Sequence, residues 1–168
     1  MLDFIIYAVE LLVCFLLQNT VLTRFEIAGI VPDLIVILVV AVGYQKGRVH
    51  GMYIGLVGGL ILDLTFGSLI GVYALVYMFI GYGVGCFSKY YIKYDTLLPL
   101  AMIAVAEFAF SLYGYIVNLL TNGRFDILYY MRRIMFPNVF YTVIVGIVLY
   151  KLLDYIYISV LMPVEEEN

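Results

Sequence analysis

The chain has 168 residues, 65% of them hydrophobic and only 12% charged, with a net charge of −3. A soluble domain is roughly 45–50% apolar and 25% charged, so this composition excludes an ordinary water-soluble globule and points to one membrane-embedded domain, 1–162. The acidic balance gives no electrostatic basis for binding nucleic acid.

A spanning helix needs about 20 mostly apolar residues. On that measure the sequence divides into six spans, an all-α polytopic membrane protein. The first covers about 4–22. It lacks a basic leader and a small-residue cleavage site, so it reads as a retained span. A short loop carrying Arg24 and Glu26 leads to a second span over about 31–45, opening on Pro32-Asp33-Leu34. Proline is tolerated early in a helix, and an aspartate suits the positive N-terminal end. Lys46-Gly47-Arg48-Val49-His50 is a basic turn, and the third span covers about 49–64. The second and third spans are short. They either thin the bilayer or sit where other helices cover their ends. The fourth span is placed at about 69–88 and the fifth at about 97–120, with a polar loop between them.

Residues 121–136 are too polar to span. Phe125, Leu128, Met131 and Met135 recur at helical spacing, with arginines elsewhere around the wheel. That pattern predicts an amphipathic helix over about 122–135 lying in the interface. The sixth span starts near Pro137 and runs to about 157, and 163–168 form an acidic tail. There is no tryptophan, and seventeen tyrosines take the interfacial role. With both termini inside, the cytoplasmic side holds Lys46, Arg48, Lys89, Lys93 and Lys151. The other side holds Arg24, Arg124, Arg132 and Arg133. The excess is one residue, and it sets both termini in the cytoplasm.

The most informative pattern is a small or acidic residue at every fourth position, Gly51, Gly55, Gly59, Asp63, Gly67 and Gly71. Each glycine weakens a helix in water by about 1 kcal/mol relative to alanine. In lipid the same spacing builds a groove that lets a second helix approach closely. That helix is either the chain's own fourth span or a partner's. Asp63 reads either as a cap for the following helix or as a polar contact to a partner or to Arg48. Helix rise alone sets Arg48 some 22 Å from Asp63. Glu10 and Glu107 fall near the middle of the first and fifth spans, where ionisable groups are costly and default to functional candidates. They read as helix-to-helix hydrogen bonds to Tyr, Asn118 or backbone, as a partner contact, or as a proton-coupling pair. Cys14 and Cys86 read as small apolar side chains. His50 lacks the partners a nucleophile or metal site needs, so no catalysis and no cofactor or metal is expected.

Pro32-Asp33-Leu34, Arg48 in the next turn, the run Gly51, Gly55, Gly59 to Asp63, then Gly67, Gly71 and Ala74-Leu75, together with Pro137, resemble the MreD family of rod shape-determining membrane proteins. The resemblance implies a non-catalytic scaffold in the bacterial inner membrane. The family acts with MreC, a single-span protein, and with the actin-like MreB filament. It helps hold the SEDS-type polymerase and its transpeptidase together, as a monomer or a homodimer. It also implies a fold similar to the six-helix substrate-binding subunits of energy-coupling-factor vitamin transporters. Such a transporter subunit is the alternative reading. It commonly carries an Ala-x-x-x-Ala motif on its first helix, where this chain has a single Ala8. A small carrier using Glu10 and Glu107 is a third reading, without the internal inverted repeat that such carriers often show.

Overall fold

The computed structural model describes residues 2–25, 29–66, 71–93, 95–123 and 126–163. Gly67 of the glycine series, Arg124 and Phe125 of the expected amphipathic segment, and nearly all of the acidic tail lie outside them. The described residues are helical with no strand: α1 (Leu2–Thr20), α2 (Leu34–Lys46), α3 (Arg48–Phe66), α4 (Val72–Gly85), α5 (Leu97–Asn122), α6 (Ile127–Tyr130) and α7 (Phe136–Ile156). Three helical runs, Arg48–Phe66, Leu97–Leu120 and Ile127–Leu161, are long and apolar enough to cross a membrane, and α1, α2 and α4 are shorter apolar helices.

The core is built around α2. Its residues from Leu34 to Gln45 are buried on every side, by α1, α3, α4, α5 and α7. A helix apolar all round is either a lipid-facing span or a buried one, and here its neighbours enclose it. This accounts for its length: 13 residues rise only about 20 Å, and the surrounding helices cover its ends. α2 and α3 are joined through Gly47 alone, whose φ of 96° lies in the region that favours glycine.

The expected break near residue 136 is absent. Ile127 to Leu161 is one continuous helical run, with a π-helical stretch at Met131–Met135 directly before Pro137. Phe136 N–H bonds to the Met131 carbonyl, five residues back. A proline inside an α-helix removes one hydrogen bond and crowds the carbonyl four residues earlier. Widening the preceding turn accommodates the ring while the helix continues. Periodicity could identify a helix on each side of Pro137, but it does not say that the two are joined.

Because the helices alternate in direction, α1 begins at the same end as α2 ends and α5 begins. We call this the proximal end. The distal end holds the starts of α2 and α4 and the close of α3.

Candidate functional site

Three constructions organise the interior: a backbone seam between α3 and α4, a polar cavity toward the distal end, and a tyrosine–carboxylate cluster at the proximal end.

In the seam, Gly51, Gly55 and Gly59 face Gly81, Tyr77 and Ala74 on antiparallel α4. A methyl group at Gly55 would come within 2.2 Å of the Tyr77 carbonyl oxygen, and one at Gly59 within 2.4 Å of the Ala74 Cα. From the other side, a Cβ at Gly81 would meet the Gly51 carbonyl oxygen at 2.1 Å, and one at Gly85 the Arg48 Cα at 2.4 Å. Backbone therefore lies directly on backbone along the helix pair. Gly58 faces away from this seam, toward Ile35 and Leu11.

Asp63 closes the seam at its distal end. It is 1% exposed. Its carboxylate accepts from the backbone N–H groups of Gly71 (3.0 Å), Tyr73 (3.0 Å) and Ala74 (2.9 Å). These are the donors that a helix N-terminus leaves without intrahelical acceptors. Gly71, at the cap position, has no side chain to satisfy them and takes a φ of 102°. Arg48 is at the opposite end of α3, exposed and beside Gly85. The Arg48–Asp63 contact weighed from sequence is not formed.

The start of α2 is held by its own cap residue and by side chains of three other helices. Asp33 Oδ1 accepts from Ile35 N–H (3.0 Å) and Val36 N–H (3.1 Å), and the Tyr77 hydroxyl donates to Oδ2. Gln18 of α1 accepts from Leu34 N–H at 2.9 Å, and Asp33 N–H donates to the Thr142 hydroxyl of α7 at 3.3 Å. Pro32 is buried beside this cap.

Next to that cap lies a cavity of about 260 Å³, lined by residues of α1, α3, α4, α5 and α7 and by the α2 cap, among them Gln18, Asp33, Tyr73, Tyr77, Glu107 and Asn138. Glu107 is fully buried. Its Oε1 accepts from the Asn138 amide at 2.6 Å, while Oε2 has no hydrogen-bond partner among the described residues. The expected partner Asn118 lies eleven residues further along α5, about 16 Å by helix rise, and does not line this cavity. Glu10 is half-buried on α1 and also lies outside it, so the two mid-span glutamates are not brought to one site.

At the proximal end, buried Asp154 accepts from the Tyr91 hydroxyl (2.6 Å) and the Gln45 amide (3.3 Å). The Tyr44 hydroxyl donates to the Tyr90 carbonyl at 2.8 Å, and the rings of Tyr44 and Tyr157 pack edge-on against Tyr91. Burial, then the hydrogen bond to Asp154, hold the Tyr91 phenol well above its ordinary range. The cluster ties Tyr90 and Tyr91 to α2 and α7.

Sequence reasoning missed Gln18, Tyr77, Asn138, Gln45 and Asp154. An acid three residues from the end of a span reads as interfacial, and an isolated Gln, Asn or Tyr carries no motif.

The family model for the rod shape-determining protein MreD matches residues 1–160. No curated protein and no solved structure matches the chain. A match across nearly the whole chain, on a bundle of apolar helices joined by a glycine seam, means that the protein belongs to the MreD family of rod shape-determining membrane proteins.

Proposed function

We propose that this chain is a non-catalytic scaffold subunit of the cell-elongation complex in the bacterial inner membrane. It binds an MreC-like single-span protein and links the MreB filament to a SEDS polymerase and its transpeptidase. The observation that carries this reading is the family match over residues 1–160, which favours it over the vitamin-transport alternative. Both termini lie in the cytoplasm, a placement supported by the one-residue excess of Lys and Arg on that side.

The partner's span docks outside the Gly51–Gly59 face, because α4 fills that face. An apolar groove of about 560 Å³ between α4 and α5 suits it. Gly83, Ala101 and Ala109 line this groove, and small residues let helices approach in a bilayer. A Cβ at Gly83 would meet nothing within 4 Å, and Gly83→Leu should fill the groove. Co-purification from native membranes in mild detergent tests the reading. The wild type should recover an MreC-like protein with wall-synthesis enzymes, and Gly83→Leu should recover several-fold less at equal membrane abundance. Recovery of a pair of ATPases with a bound vitamin would overturn the scaffold assignment. Undiminished recovery with Gly83→Leu would overturn the docking groove alone.

A further inference from the structure

The cavity beside the α2 cap has a chemistry that the scaffold role leaves unused. Two carboxyl side chains, Asp33 and Glu107, line it. Asp33 is saturated by two backbone N–H groups and the Tyr77 hydroxyl. Glu107 is not: it is fully buried, and one of its oxygens has no hydrogen-bond partner among the described residues. A buried polar atom without a partner is costly, and more so for a carboxylate. Among the described lining residues there is no lysine, arginine or histidine to neutralise either acid. The remaining wall is aromatic. Phe110 packs with its ring centroid 5.2 Å from Tyr77 and 5.8 Å from Tyr73, and Phe66 lines the same space. Aromatic faces attract cations, and organic ammonium ions are recognised by such cages.

We propose that this cavity is a binding site for a small primary ammonium group, whose N–H donates to Glu107 Oε2 while its charge rests against the rings of Phe110, Tyr73 and Tyr77. The free oxygen needs an N–H, which excludes a quaternary ammonium, and the small volume favours the least substituted amine, a primary one. The volume of about 260 Å³ admits a group of a few non-hydrogen atoms. The same ammonium is carried by free ethanolamine and by the headgroup of phosphatidylethanolamine.

The test uses the full chain in nanodiscs of phosphatidylcholine, with ethanolamine as the probe and isothermal titration as the readout. Ethanolamine should bind saturably, tetramethylammonium about tenfold more weakly, and acetate not at all. Glu107→Gln, which keeps the shape and loses the charge, should weaken ethanolamine by about tenfold or more. Phe110→Leu should weaken it several-fold and serves as the second variant if Glu107→Gln fails to fold. A parallel preparation in nanodiscs holding phosphatidylethanolamine separates the sources. If the lipid occupies the site, native mass spectrometry should find it retained by the wild type and lost from Glu107→Gln, and it should compete with ethanolamine. Absence of both ethanolamine binding and selective lipid retention would overturn the site, as would equal binding by the wild type and both variants.

Discussion

Asp63 illustrates how a single side chain can satisfy a helix end from a distance. Its three accepted N–H bonds serve α4, a helix whose own cap residue is a glycine. Removing a capping side chain commonly costs about 1 kcal/mol, and leaving buried donors unmet adds about 1–3 kcal/mol for each. Asp63→Asn retains one acceptor oxygen and should lower thermal stability in detergent. Asp63→Ala should lower it far more and yield little folded protein, as judged by size-exclusion recovery. Equal stability of the two variants would mean that the carboxylate is not what holds the α4 terminus. Tyr91→Phe probes the other end. It removes one of the donors to Asp154, and melting should fall by an amount corresponding to about 1–3 kcal/mol, the cost of weakening a hydrogen bond to a buried charged group. The need for a reason behind Asp63 was legible in sequence, since an acid stood alone in a glycine series. Asp154 was not, because its partners Gln45 and Tyr91 are 109 and 63 residues away and neither position carries a local pattern.

Between elements, the glycine series makes a prediction of opposite signs for one chemical change. Gly55→Ala places a methyl group 2.2 Å from a backbone oxygen. It should destabilise by about 1–3 kcal/mol or more, because overpacking forces the helices apart. Gly83→Ala sits in open space on α4 and should stabilise by up to about 1 kcal/mol through helix propensity alone. Thermal melts of the two variants in one detergent would check the pair, and a Gly55→Ala protein as stable as the wild type would refute the backbone contact. The four-residue spacing made the seam legible, since lipid gives apolar side chains no reason to associate and small residues mark close approach. Sequence left open which helix fills it. A partner's span and the chain's own fourth span present similar apolar faces, and only the register of Ala74, Tyr77, Gly81 and Gly85 against α3 decides. The continuity of the last helix through Pro137 was hidden for a different reason. Proline usually ends a helix, and a π-turn that absorbs it leaves no signature in composition.

At the scale of the whole molecule, α2 is enclosed while α1 shows one apolar side outward, with Ile5, Val9, Leu12 and Leu16 exposed. Exposed apolar surface is ordinary in a bilayer, so stability must rest on packing and internal hydrogen bonds. The order of synthesis matters for this design. A nascent α3 carries four glycines and an aspartate whose acceptor groups have nothing to receive until residues 71–74 exist, and the N-terminus of α4 is equally unmet without Asp63. Each span carries polar groups that the other satisfies. The two should therefore enter the bilayer as a joined hairpin. With α1 and α2 holding both chains in the membrane, a nascent chain truncated after Phe66 should leave α3 open to added protease, while one extended past Gly85 should resist it. If both resist equally, α3 is stable in lipid before its mate is made.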